Sequence, residues 1–174
     1  MKHQNLILWQ GAGVLFTGIC GVILHFLFAW TNQCALVAPF SAVNESIWEH
    51  MKLLFFPMLL FAMAESRYHA REILNFWCIK LVGTVFGVVS IPVLYYTLNG
   101  AFGTMPDWVN IAIFFVAALA SFGMETRMFR NGAPCFFRGA GWAFLLLAVL
   151  FAVWTFLPPL FPLFKDPIAN TYGI

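Results

Sequence analysis

From Leu6 to Trp30 the chain carries no Asp, Glu, Lys or Arg. A helix crosses the hydrocarbon core of a bilayer with about 20 mostly apolar residues, so this run alone is long enough to span. Four more stretches qualify, at about Asn44–Ala64 (polar in its first turns), Leu74–Leu98, Trp108–Met124 and Gly141–Leu157. They are apolar on all sides and longer than a barrel strand of about 9–11 alternating residues. The pattern predicts an all-α, polytopic transmembrane helix bundle of five spans. It forms one domain over 1–174, closed by a Pro-rich extracytoplasmic tail at 158–174. Composition agrees: 62% of residues are hydrophobic and 9% charged, against about 45–50% and about 25% in soluble domains. So little polar surface excludes a water-soluble globule, and with it the disordered and nucleic-acid-binding classes.

The loops set the orientation. Lys2, Arg67, Arg71, Arg127, Arg130 and Arg138 fall on one side of the spans, and Lys165 falls on the other. Cationic loops stay in the cytoplasm, which puts the N-terminus inside and the C-terminus outside. An odd number of spans agrees with that split. The first run is too long for a signal-peptide core and lacks a cleavage signature, so it reads as a retained helix. Cys34 then belongs to an outer loop and Cys135 to an inner one, with Cys20 and Cys78 inside spans, so no disulfide is expected. Gly83 and Gly87 form G-x-x-x-G. Together with Gly11, Gly13, Gly18, Gly21, Ala117, Ala118 and Ser121 they are expected to serve internal packing, and a homo-oligomer contact is the alternative. Pro57 and Pro92 remove the helical donors of the Leu53 and Val88 carbonyls. Glu65 with Arg67, His69, Arg71 and Glu72 reads as a solvated cytoplasmic turn, and Glu125 with Arg127 reads likewise. Lys80 is expected to snorkel to the same surface.

The informative stretch is Ser41 to Lys52, at the outer start of the second span. It brings together Asn44, Glu45, Trp48, Glu49, His50 and Lys52. Ionisable groups at membrane depth are costly and face a bundle interior or a water-filled cavity. Helical spacing puts Glu45, Glu49 and Lys52 on one stripe, bordered by Trp48, and lets Glu49 pair with Lys52. On that wheel His50 points away from both acids. Asn44 or Ser41 is the expected N-cap, with Glu45 beside the helix dipole. His25, one to two turns before the end of the first span, lies at similar depth. His25, Glu49 and His50 are a ligand set that a divalent metal such as zinc accepts. Glu45, Glu49, His50, Lys52 and His25 are equally the candidate catalytic groups for acid–base chemistry. Asn44, Trp48, Asp166 and Tyr172 are candidates for contacting substrate, the last two from the tail. The bland alternative is a helix cap with an interfacial ion pair.

The block Asn44-Glu45-Ser46-Ile47-Trp48-Glu49-His50-Met51-Lys52-Leu53, preceded by His25-Phe26-Leu27, resembles a family of small bacterial integral membrane proteins of unknown function. The ending Phe164-Lys165-Asp166-Pro167, then Tyr172-Gly173, is similar too. The resemblance spans nearly the whole chain. It implies five helices, a multi-pass place in the bacterial cytoplasmic membrane and hosts that are often Gram-positive anaerobes, with no activity attached. Tryptophan-rich sensory proteins share the length, but their Pro- and Trp-rich first loop has no counterpart in Thr31–Val43. Membrane glutamate proteases share residue types but not the E-E-x-x-x-R spacing.

Three functions fit the cluster. It is the site of an outer-leaflet enzyme, a hydrolase or transferase on a lipid or lipid-linked substrate. Or it is the binding site of a small-solute or ion transport module. Or it is the docking face of a non-catalytic membrane subunit. The expected partners are the lipid bilayer and a lipid or small-molecule ligand, and no nucleic acid.

Overall fold

The computed structural model describes residues 3–70, 73, 75–132, 135 and 137–174, with side chains from Leu6 onward at the N-terminus. Lys2, Arg71, Glu72 and Leu74 lie outside the described residues. Five α-helices follow one another: α1 (His3–Trp30), α2 (Ile47–His69), α3 (Phe76–Phe102), α4 (Asp107–Asn131) and α5 (Ala140–Phe156), with a 3-10 turn at Pro162–Phe164. Four of them are long and apolar enough to cross a membrane. The last, α5, has 17 residues, about 25 Å at about 1.5 Å per residue, and is shorter than the others.

Helix α2 is the axis of the bundle. It touches α1, α3, α4 and α5, and Leu54, Phe55, Met58 and Ala62 are buried on successive faces. Apolar side chains cover most of its circumference, as in a core helix, although Leu60, Met63 and Tyr68 remain exposed. The outer helices instead bury one face and turn Leu8, Leu15, Val93, Leu119 and Leu146 outward, as lipid-facing helices do.

Small residues set the helix spacing. A Cβ on Gly83 would collide with the Glu125 side chain, and one on Gly87 with Ser121 Oγ. The G-x-x-x-G face therefore packs inside the bundle against α4, whose Ala117, Ala118 and Ser121 are fully buried. Gly13, Gly18 and Gly21 do the same for α1 against aromatic rings, whereas Gly11 meets nothing. At Gly21 a Cβ would come 3.2 Å from the Leu53 carbonyl oxygen, the acceptor whose helical donor Pro57 removes.

Three expectations are corrected. Cys78 and Cys135 form a disulfide, with Cα atoms 5.8 Å apart. Cys78 sits in the first turn of α3, at the end of the bundle to which the α4–α5 connection returns, so it is not at a separate depth. Cys20 and Cys34 are free. Lys80 does not snorkel. Its ammonium lies 2.7 Å from Glu65 Oε2 and 2.5 Å from Glu125 Oε2, and all three side chains are at most 1% exposed. Neither acid is a solvated loop residue, because α2 and α4 continue past them to His69 and Asn131.

Candidate functional site

The chain ahead of α2 is irregular, and Ser46 is the N-cap. Its side chain accepts from the Glu49 N–H at 3.4 Å. Asn44 is not the cap; its Oδ1 accepts from the Ser46 N–H at 2.9 Å. Ser41 Oγ accepts from the Phe28 N–H at 2.9 Å and tethers the connection to α1. Because the helix begins at Ile47, the direction of Glu45 is free of helical spacing. That frees it to meet both His25 of α1 and His50, which a helical wheel sets apart from it.

Glu45 Oε1 lies 3.7 Å from His25 Nε2, and Glu45 Oε2 lies 3.5 Å from His50 Nε2. The two imidazole centroids are 5.6 Å apart. His50 Nδ1 is 2.9 Å from the Ser46 carbonyl oxygen. A carbonyl only accepts, so Nδ1 carries the hydrogen, and in the neutral ring Nε2 presents its lone pair to the cluster. A ligating histidine is commonly oriented by such a backbone bond on its other nitrogen. One ligand atom from each of His25, Glu45 and His50 lies within 4.8 Å of the other two. An ion bound at about 2.0–2.2 Å sets neighbouring ligands about 3.3–3.6 Å apart. The group is thus within a small side-chain adjustment of holding one.

Glu49, the acid that residue type and depth place in the expected ligand set, is elsewhere. It turns inward, where its Oε2 meets Lys52 Nζ at 2.6 Å and accepts from the Val43 N–H at 3.0 Å. Lys52 also donates to the Ala38 carbonyl at 3.0 Å and to Thr155 Oγ1 at 2.7 Å. Both side chains are almost fully buried, so this pair is a strut between α2, the α1–α2 connection and α5. Neither residue reaches the histidines.

The His25–Glu45–His50 group stands at the mouth of a cavity of about 630 Å³. Its floor is formed by Gly21, Leu53 and Ile91, and its walls include Val22 and Phe26 of α1 and Ile111 and Phe115 of α4. Those four wall residues are also exposed on the outside of the bundle. The cavity is therefore a cleft in the bundle's flank, opening between α1 and α4 above the contact of Gly18 with Phe115. Its far side carries polar groups that were not singled out from the sequence: Asn99, Asp107 and Asn110. The spacing Asp107, Asn110, Ile111, Phe114 marks a single helical face and was the available signal.

The tail closes one edge of this mouth with Pro167 and Ile168. Asp166 holds it there. Its Oδ1 accepts from the Ile168 and Ala169 N–H groups at 2.7 and 3.0 Å, and its Oδ2 from the Glu45 N–H at 3.2 Å. Asn44 Nδ2 donates to the Gly173 carbonyl at 2.9 Å, and Tyr172 pairs with Lys165 across an isolated bridge. Asn44, Asp166 and Tyr172 thus shape the loop and tail and are not among the cavity's lining residues. Trp48 is a core residue, packed on Phe151, Trp154 and Phe164 with centroids 4.4, 5.1 and 4.8 Å away.

These features define an all-helical, apolar bundle with a flank cleft and a two-histidine, one-carboxylate cluster at its mouth. The chain belongs to the family of unknown function DUF6512, whose model matches residues 1–174. No curated protein and no solved structure matches it.

Proposed function

We propose that this protein is a metal-dependent enzyme of the outer leaflet of a bacterial cytoplasmic membrane, a hydrolase or transferase acting on a lipid or lipid-linked substrate. The observation that carries the reading is the pairing of a His25–Glu45–His50 ligand set with an apolar cleft open sideways between α1 and α4. An amphiphile entering from the bilayer would lay its chain along Val22, Phe26, Ile111 and Phe115. Its head would then rest among the histidines, Glu45 and Asp107. Arg67, Arg127, Arg130 and Arg138 lie at the opposite end of the bundle, and by the cationic-inside rule the cleft faces outward.

Two imidazoles and one carboxylate leave a bound divalent ion such as zinc with an open position, the ligand pattern of catalytic rather than structural zinc sites. Such an ion supplies an activated water and polarises a carbonyl or phosphoryl oxygen. The protein's own part is to fix His50 through Ser46, to hold Glu45 against the tail through Asp166, and to keep the reacting group at the lipid–water boundary.

The test is metal analysis of purified protein after zinc loading and dialysis, paired with mass spectrometry of a bacterial lipid extract incubated with it. Near-stoichiometric zinc in the wild type, lost in His25→Ala and His50→Ala, is expected, together with a lipid species consumed by the wild type only. No retained metal overturns the metalloenzyme. Retained metal with a lipid bound but unchanged favours the second reading, a solute-binding or transport module. That reading draws on the depth of the cleft, whose floor at Ile91 lies near the middle of α3.

A further inference from the structure

The second buried charged cluster, Glu65–Lys80–Glu125, lies toward the opposite end of the bundle and plays no part in the cleft. It holds two carboxylates and one ammonium, each at most 1% exposed. The Lys80 ammonium sits among the rings of Phe61, Phe76, Phe122 and Phe129, with centroids 5.2 to 6.0 Å away. Gln10 of α1 completes the shell, donating from Nε2 to Glu65 Oε1 at 3.4 Å. Among the described residues, the next titratable group toward this end of α2 is His69, which packs edge-on against Trp9 and makes no ion pair with either acid.

Two independent counts come out one short. The first is charge: fully ionised, the cluster carries a net −1 in an apolar interior, which is costly without a compensating ion. The second is hydrogen: Glu125 Oε1 is a buried acceptor without a donor, although buried polar atoms are ordinarily satisfied. A metal cation would balance the charge, but it would have to sit beside an ammonium already in contact with both acids. A proton balances both counts and needs no room.

We propose that Glu65, Lys80 and Glu125 form a buried proton-binding site in which the two carboxylates share one exchangeable proton. The site joins α2, α3 and α4, the same helices that carry cleft walls at their other ends. Removing the proton leaves an unbalanced negative charge between them, so the site acts as a proton-dependent clamp on the bundle.

Infrared spectroscopy of the full-length protein in lipid nanodiscs tests this near neutral pH. The expected result is a carbonyl stretch of a protonated carboxylic acid that shifts in deuterium oxide. It should be lost in both Glu65→Gln and Glu125→Gln, because either change leaves one carboxylate neutralised by Lys80. Both variants keep the shape of a protonated acid and should fold. Absence of the band in the wild type, or its survival at full intensity in either variant, overturns the proposal. The wild-type measurement stands even if a variant fails to express.

Discussion

Lys52 and Thr155 are 103 residues apart in the chain, and their Nζ and Oγ1 atoms are 2.7 Å apart in the fold. This contact fixes the end of α5 to the first turns of α2, and with Glu49 it forms a buried polar joint behind the site. Removing one partner of a buried ion pair costs about 3–5 kcal/mol, because the other charge is left uncompensated. Lys52→Met is therefore expected to lower the unfolding temperature in detergent sharply. The double variant Glu49→Gln/Lys52→Met should recover most of the loss. Equal instability of the single and double variants would mean that the pair's charges are not what holds α2.

Metal retention separates the two neighbouring glutamates. Glu45→Gln should lower zinc affinity by at least about tenfold, whereas Glu49→Gln should leave it within a few-fold of wild type, since Glu49 is committed to Lys52 and Val43. Isothermal titration with zinc distinguishes them. The reverse order of effects would restore Glu49 as the ligand.

Asp166 supports the site from outside. It accepts from the Glu45 N–H and shapes the Pro167–Ile168 edge of the cleft. Loss of a supporting contact to a metal ligand typically costs about 10–100-fold in affinity or activity. Asp166→Ala is expected to weaken zinc binding at the lower end of that range, and to cost about 1–3 kcal/mol of stability because its N–H donors lose their acceptor. Unchanged affinity would reduce the tail to a surface strap.

The glycines of the close helix contacts make opposite predictions by position. Gly87→Ala drives a methyl into Ser121 Oγ and should cost about 1–3 kcal/mol, the usual range for overpacking. Gly87→Ala combined with Ser121→Gly should regain part of it. Gly11, which meets nothing within 4 Å, should gain about 0.5–1 kcal/mol on becoming Ala. Thermal unfolding of the set checks the sign at each position.

Thiol chemistry tests both pairing and orientation. Of four cysteines, Cys20 and Cys34 are free. Denatured, unreduced protein should therefore show two reactive thiols, rising to four after reduction. On intact cells a membrane-impermeant maleimide should label Cys34, which sits in the connection at the cleft end. Labelling of Cys34 only after permeabilisation would reverse the orientation and move the site to the cytoplasmic leaflet.

Uncharged runs such as Leu6–Trp30 made the helices legible, and the density of ionisable residues around Glu45 and His50 marked the region of the site. The roles within it were not legible, for a physical reason. A helical wheel applies only inside a helix, and Glu45 stands just before one. The wheel paired it with Glu49 and set His50 apart, whereas an irregular backbone brings Glu45 to both histidines. Lys80 failed differently. Its distance from the helix end suited snorkelling, but the acids that hold it come from α2 and α4, and tertiary partners leave no mark on the lysine's own neighbourhood. Gly83 and Gly87 succeeded because close approach leaves its requirement, the absence of a side chain, in the sequence itself.

Pro57 has one more consequence. The Leu53 carbonyl, deprived of its helical donor, lies beside Gly21, and both residues form the floor of the cleft. The carbonyl that the kink leaves without a donor therefore faces a residue of α1 that has no side chain, so the break in α2 and the close approach of α1 meet at one point of the bundle.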